Sequence, residues 1–264
     1  FQYNYQDRLI INMGYSYNYN SVGGSIINNT IASNSYSIRF NFESAGNVMY
    51  ALSKAANIRK NSNGEYAILG IPYAQYLKGE FDFAKNIRID YRNSFAFHAG
   101  VGIAVPYGNA KTIPFEKQYF SGGANSVRGC TERSVRDLGP GSFAGNGNLL
   151  DQSGDIKLDA SIEYRSKLFW KFQGAVFIDA GNIWTVREYA NQPGGVFKFN
   201  KFYKQIAVAY GLGLRLDLDF FILRFDGGMK AVNPAFETKK EHFPIIHPKF
   251  SRDFAFHFAV GYPF

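Results

Sequence analysis

Apolar and polar residues alternate along most of this chain. Between residues 1 and 20 the odd positions carry Phe, Tyr, Leu, Ile and Met with one Asp, and the even positions are mostly Asn, Gln, Ser and Arg. A period of two residues is typical of a β-strand with two different faces. The pattern recurs in eight later segments, so we predict about nine strands. These segments are 35–44, 73–84, 87–105, 156–165, 170–184, 205–219, 220–231 and 252–264.

The length and the two faces of these strands indicate where the protein resides. Most are 10–15 residues long, whereas a tilted strand crosses a bilayer in about 9–11 residues. One face is aromatic and aliphatic, and the other carries Gly, Arg, Lys, Asp and Glu. Apolar residues outside and polar residues inside predict an all-β fold, a transmembrane antiparallel β-barrel. The alternative, a soluble barrel or sandwich, would need shorter strands and fewer charges on its core face.

Composition agrees with a barrel and excludes several other classes. Aromatic residues make up 17% of the 264 positions, yet mean hydropathy is −0.22, as expected when aromatic residues alternate with polar ones. A single cysteine excludes an internal disulfide framework. The net charge of +8 is assigned to lumen and loops, since no nucleic-acid-binding motif is present. Without a catalytic or metal-binding motif, we predict no enzyme activity, cofactor, metal or nucleic-acid partner.

The predicted connections differ in length. Residues 20–34 and 51–70 are polar and are predicted to be surface loops. The connection 106–154 is much longer and is rich in glycine and charge. Such long loops are usually functional. Inside a polar lumen its backbone could be hydrogen-bonded, so we predict that it folds inward.

Residues 119–129, YFSGGANSVRG, resemble the signature of the BamA/TamA superfamily of outer-membrane assembly factors, also called bacterial surface antigens. In that family the motif lies on a loop that reaches into the barrel lumen. Residues 133–142, RSVRDLGPGS, are similar to a run in its TamL-like branch, and 162–184 resemble the next two strands. The chain departs from the family at Cys130, where an aromatic residue is usual.

The resemblance implies that Arg128 is held by two inward-facing acids, Glu163 and Asp179. Alternation independently places both acids on the polar face of their strands. An arginine fork pairs with carboxylates in a bidentate manner, which lysine cannot do. The alternative is a solvated arginine on a flexible loop. The other loop residues singled out, for backbone conformation or a fixed turn, are Gly122, Gly123, Ser126, Val127, Gly129, Gly139, Pro140 and Gly141.

The C-terminus carries a second signal. An alternating apolar ladder ends in a terminal aromatic residue and resembles the β-signal of outer-membrane proteins. Such a ladder could offer an edge for strand addition, or it could simply be the lipid face of the last strand. Its members are Phe256, Phe258, Val260, Tyr262 and Phe264.

The family has five strands after this loop, sixteen in all, and periplasmic POTRA domains. We therefore expect residues 1–264 to be the C-terminal nine strands of a sixteen-stranded barrel, with the POTRA domains absent from this chain. The resemblance implies a Gram-negative outer membrane and the insertion or translocation of proteins. Its implied partners are outer-membrane lipids, unfolded client outer-membrane proteins and accessory assembly subunits. A two-partner-type secretion pore, the membrane anchor barrel of a patatin-like lipase and an ordinary porin remain alternatives.

Overall fold

A single antiparallel meander forms the body of the protein. The computed structural model describes residues 7–21, 34–130, 139–143, 149–236 and 238–264. Each strand of the large sheet pairs with its neighbours in sequence, which confirms the predicted all-β fold and the nine strands. The strands are β1 (Asn12–Asn20), β2 (Ser35–Ala45), β3 (Tyr76–Arg88), β4 (Asn93–Pro106), β5 (Ile156–Lys167), β6 (Phe172–Trp184), β7 (Ala207–Asp217), β8 (Ile222–Val232) and β9 (Phe254–Val260).

One predicted strand was placed wrongly. The segment 87–105 contains the end of β3, a turn and β4. Asp90 makes this turn, because its Oδ1 accepts the backbone N–H groups of Arg92 at 2.7 Å and Asn93 at 2.8 Å. The first strand also begins later than predicted, at Asn12, and residues 1–6 lie outside the described part of the chain.

The two faces of the sheet differ as the alternation requires. One face exposes large apolar side chains such as Phe81, Leu212 and Phe258. The opposite face buries charged residues, among them Glu163 and Arg215, both at 0% exposure. Residues 119–130, between β4 and β5, cover part of this polar face, so that many charged side chains are buried there beside apolar clusters.

The two ends of the sheet carry different connections. Three of the connections at one end are the short turns 89–92, 168–171 and 218–221, and the fourth, between β1 and β2, is residues 21–34. All connections at the other end are long segments. In bacterial outer-membrane barrels the short turns face the periplasm and the long loops face outward. The long-loop end therefore corresponds to the cell exterior.

The long segments contain small elements of their own. The loop after β2 holds the helix α1 (Asn47–Ala55) and a hairpin of Ala67–Ile68 with Ile71–Pro72, so the predicted loop 51–70 is partly structured. Short helical turns elsewhere are Phe115–Lys117, Leu149–Gln152, Phe202–Gln205, Lys239–His242 and Phe250–Asp253. Across the described ranges, no helix has the length and apolar character needed to cross a membrane.

Candidate functional site in the lumen

Arg128 lies at the centre of the polar face and is 1% exposed. Its Nε donates to Asp179 Oδ2 and its Nη2 to Asp179 Oδ1, both at 2.8 Å. Its Nη1 donates to Glu163 Oε2 at 2.5 Å. The guanidinium carbon also lies 3.5 Å from the centroid of the Phe177 ring. The guanidinium thus makes a bidentate pair with one carboxylate, a hydrogen bond to a second carboxylate and a contact with an aromatic ring. A guanidinium matches this geometry, and an ammonium group does not.

The strands that follow the loop supply these partners. Glu163 is on β5, and Phe177 and Asp179 are on the adjacent strand β6. Ser161, one inward position before Glu163, donates its hydroxyl to Asp179 and accepts from Arg128 Nη2 at 3.3 Å. The backbone N–H of Arg128 also donates to Asp179 Oδ2, at 3.0 Å. Asp179 therefore fixes both the side chain and the main chain of the arginine.

The ion pairs extend over β5 to β8. Glu163 Oε1 accepts from Arg165 Nε at 2.7 Å and from Arg215 Nη2 at 2.8 Å. Asp226, also fully buried, pairs with Arg215 Nη1 at 3.2 Å and Arg224 Nε at 3.3 Å. Arg224 in turn donates to the loop, at Ala124 O and Asn125 Oδ1. Removing one member of such a buried network leaves the charge of another without a partner. The loss of any one residue is therefore expected to destabilise the whole cluster.

The loop backbone approaches the sheet very closely at glycines. An ideal Cβ on Gly228 of β8 would lie 2.3 Å from the carbonyl oxygen of Arg128. A Cβ on Gly129 would lie 2.6 Å from Ala209 Cβ and 3.0 Å from the Met229 backbone. Glycine on both surfaces therefore lets the loop lie directly against the backbone of the sheet.

The other predicted loop residues have positive φ angles, pack closely, form turns or join an apolar cluster. Gly122, Gly123 and Gly141 have φ angles of +98°, +84° and +61°, which favour glycine, whereas close packing against Phe143 requires glycine at Gly139. Ser126 donates its N–H to Gly123 O in a tight turn, and Pro140 O accepts from Phe143 in another. Val127 and Cys130 are buried in an apolar cluster with Ala207 and Ala209, which explains a small residue at Cys130. Of the 133–142 run, residues 133–138 lie outside the described residues.

A second attachment point holds the loop at the end of β6. Gly141 N–H donates to Ile183 O at 2.7 Å. The side chain of Asn182 donates to Gly141 O, also at 2.7 Å. Asn182 belongs to residues 179–184, DAGNIW, at the end of β6. This segment therefore contacts the loop at both Asp179 and Asn182.

The residues of the predicted C-terminal ladder lie on two faces of the sheet, and the β-signal itself stays a prediction. Phe256, Phe258 and Val260 lie outward on β9, but the strand ends at Val260 and Gly261 has a φ of +88°. The chain then turns inward, where Tyr262 OH donates to Gln173 at 3.2 Å and lies under the Arg165 guanidinium. Phe264 stacks on His98 with 5.2 Å between ring centroids. The C-terminal tail, residues 261–264, thus joins the polar face instead of the lipid face.

Replacing Gly261 with valine is expected to free this tail. A β-branched residue at positive φ costs about 1–2 kcal/mol, which the few inward contacts of this short tail do not readily offset. The measurement is the rate at which a maleimide labels a Phe264→Cys substitution, with buried Cys130 as an internal unreactive thiol. The control is Gly79→Val, at a strand glycine with open space around it. Equal labelling rates in the two backgrounds would contradict the inward turn.

Several residues of this site are not among those predicted from the sequence, and three of them contact the loop from β8 and β9. Asp226 and Arg224 were placed on the polar face by alternation, but nothing in the pattern showed that they reach the loop. The third is His257, whose Nε2 lies 2.9 Å from the carbonyl oxygen of Arg128. Its position between the outward Phe256 and Phe258 of β9, on the polar face by alternation, is the signal that could have found it.

Similarity to known proteins is found in both sequence and structure. BamA, the outer membrane protein assembly factor of Neisseria meningitidis serogroup B (strain ATCC BAA-335 / MC58), is 34% identical over 98 residues, a match that covers 34% of this chain and 11% of that protein. Among solved structures, BamA from Haemophilus ducreyi lacking POTRA domains 1–3 has a TM-score of 0.48 and 16% identity, covering 95% of this chain and 54% of that one. CdiB from Acinetobacter baumannii has a TM-score of 0.37 and 11% identity, covering 94% and 41%.

The chain spans 11% of the curated relative and about half of the H. ducreyi structure. The model of the Omp85 superfamily domain, by contrast, matches residues 2–264. The match therefore includes every strand of the meander and the loop with its arginine. The chain belongs to the Omp85 superfamily and is a transmembrane β-barrel portion of a protein of the Gram-negative outer membrane.

Proposed function

We propose that this chain is the C-terminal nine strands of the barrel of an outer-membrane assembly factor that inserts client β-barrel proteins into the membrane. Membership of the Omp85 superfamily supports an outer-membrane insertion or translocation role, and it favours such a role over an enzymatic one. Insertion of β-barrel clients is the finer step, and the proposal extends to unfolded clients, outer-membrane lipids and accessory subunits as partners.

The observation that carries this proposal is the contrast between a fixed loop and a weak terminal strand. The loop is pinned at Arg128 by buried carboxylates on β5 and β6. By comparison, β9 has only seven residues, whereas β8 has 11. Because Gly261 turns the tail inward, the outer edge of β9 can offer only a short ladder to any further strand. Because a short strand makes few hydrogen bonds to any strand that closes against it, an incoming strand can displace that neighbour and add to the edge by main-chain pairing.

In this proposal the polar site has a positioning role. Arg128, Glu163 and Asp179 hold the loop inside the lumen, and the glycines permit its close packing on β7 and β8. Phe256, Phe258 and Val260 of β9 present the apolar side of the edge to lipid and client. Unpaired backbone groups are costly in a bilayer, so a template edge lowers the barrier to strand insertion.

The test is strand-specific disulfide crosslinking to a client during its assembly. The intact protein would carry a single Phe258→Cys substitution on β9, and an unfolded client barrel would carry a cysteine in its terminal strand. The matched control is Val176→Cys, on the lipid face of the central strand β6 and similarly exposed. We expect crosslinks at β9 and none at β6, together with faster client folding than in empty liposomes.

Two results would contradict this function. Equal crosslinking at β6 and β9 would show that the client does not add specifically at the edge of β9. Client folding no faster than in empty liposomes would contradict client insertion itself. Passage of a soluble polypeptide across the vesicle membrane, without insertion of a barrel client, would instead support the secretion-pore alternative.

A further inference from the structure

One face of α1 is apolar and exposed. Val48 and Leu52, each 58% exposed, lie one turn apart, with the exposed Ala51 and Ala55 beside them. These positions follow the spacing i, i+3, i+4 and i+7, which forms a single stripe along a helix. The described structure places no other element over this stripe.

The opposite face of α1 packs on the rest of its loop. The ring of Tyr50 lies 5.6 Å from that of Tyr66, edge to face. Ser53 is buried and its hydroxyl accepts from Tyr73 OH at 3.3 Å. The helix is therefore held firmly in one orientation, with its apolar stripe turned away from the loop.

Some polar groups of this loop are buried while some of its apolar groups are exposed. Its interior holds polar groups, such as the Arg8–Glu65 ion pair at 3.1 Å and the buried amide of Asn109. Its exterior holds apolar ones, including Leu69 at the hairpin tip, which is 98% exposed. An apolar exterior over a polar interior is the arrangement of the lipid-facing strands themselves.

The helix also begins next to the lipid-facing surface of the sheet. Only Gly46, with φ +75°, separates it from the end of β2. On β1, the outward Met13 is 71% exposed and pairs with Ser44, three residues before α1. At about 3.3 Å per residue, α1 starts within roughly 10 Å of the level of Met13. That distance places the helix at the boundary between hydrocarbon and headgroups.

Three cations lie on the last turn of α1 and in the loop that follows it, and one of them, Lys60, has its Nζ 5.0 Å from the centroid of the Tyr66 ring. Lys54 is on the last turn of α1, and Arg59 and Lys60 follow it in the same loop, all exposed. Between residues 46 and 75 the only acid in the sequence is Glu65, and it is paired with Arg8. A basic rim beside an apolar helix face matches a lipid surface that carries phosphate groups.

We propose that α1 lies in the outer leaflet as an interfacial helix on anionic, phosphorylated lipid. Its stripe of Val48, Ala51, Leu52 and Ala55 is buried about 5–10 Å deep, at the boundary of headgroups and acyl chains. Lys54, Arg59 and Lys60 bind the phosphate groups. Continuity with the lipid face and the basic rim favour lipid over a second protein. This inference does not depend on client insertion.

The experiment places an environment-sensitive NBD fluorophore on a Leu52→Cys substitution in the intact protein, reconstituted in phosphatidylcholine vesicles with or without lipid A. The matched control is Ser62→Cys, exposed and polar in the same loop. At position 52 we expect a blue-shifted spectrum, quenching by doxyl-labelled lipid and an iodide quenching constant several-fold lower than at position 62. Iodide access equal to that of the control would overturn the proposal.

Other occupants give different results. Shielding from iodide without quenching by doxyl lipid would indicate a protein surface over the helix, and shielding that appears only at high protein-to-lipid ratio would indicate a second copy. Either result overturns the lipid assignment.

The charge component has its own test. The triple variant K54Q/R59Q/K60Q should lose the additional blue shift at position 52 that lipid A causes. The control triple variant K239Q/K240Q/K249Q, on another outward loop with exposed lysines, should keep it. The same loss in both variants, or in neither, would contradict phosphate binding by the basic rim.

Discussion

Arg128→Ala is expected to destabilise the barrel by about 3–5 kcal/mol, because Glu163 and Asp179 would be left buried without their shared partner. Both carboxylates are at most 1% exposed, so water cannot readily replace the guanidinium. Arg128→Lys should recover only part of the lost stability, since lysine keeps the positive charge but cannot make the bidentate pair with Asp179. The measurement is urea unfolding of the intact protein in detergent, monitored by the difference in gel mobility between heated and unheated samples. Limited proteolysis reports on the loop separately.

Arg92→Ala serves as the control for this substitution. Arg92 is exposed in the turn between β3 and β4, and its main-chain bond to Asp90 does not require its side chain. Its loss should change stability by no more than about 0.5 kcal/mol. The lumen site would not be a stabilising cluster if Arg128→Ala and Arg92→Ala had similar effects, or if the loop stayed resistant to protease in the Arg128 variant.

Gly228→Ala should displace the loop although it adds only one methyl group. Its Cβ would lie 2.3 Å from Arg128 O and 2.9 Å from Gly129 N, and both are backbone atoms that cannot rotate away. Overpacking of this kind costs about 1–3 kcal/mol. Since the loop must retreat, we also expect faster proteolysis between residues 119 and 130 under native conditions.

The matched substitution is Gly79→Ala on β3, where an added Cβ would meet no atom within 4 Å. Alanine there should be neutral or stabilising by up to about 1 kcal/mol, because it reduces the freedom of the unfolded chain. If the two alanine variants were equally stable and equally resistant to protease, the close approach of loop and sheet would be disproved.

Alternation was sufficient to predict most of the fold, because a barrel strand meets lipid on one side and water or polar groups on the other. It failed at residues 87–105 for a definite reason. The turn 89–92 has an even number of residues, so odd positions stay apolar on both sides of it, and Ile89 and Tyr91 within it are apolar too. The turn is made by the side-chain hydrogen bonds of Asp90, which a hydrophobic pattern does not register.

The site was predictable only in part. The motif resemblance and the strand faces led to Arg128, Glu163 and Asp179, which the structure brings together. Phe177 shows what a face pattern misses, because an aromatic residue on a polar face looks like an exception until the guanidinium is seen against its ring. The inward turn at Gly261 was missed for a similar reason: apolar alternation continues to Phe264, while one positive φ angle redirects the chain.

The hydrogen bond between His257 and Arg128 O connects the terminal strand to the loop. Separating β9 from the loop must break this hydrogen bond. The position of the loop and the displacement of β9 are therefore thermodynamically linked. Linkage is reciprocal. In the proposed function, a client that displaces β9 from the loop would therefore loosen the loop by the same free energy with which a loosened loop favours that displacement. The lumen arginine would then act at a distance, as an effector of strand exchange at the edge.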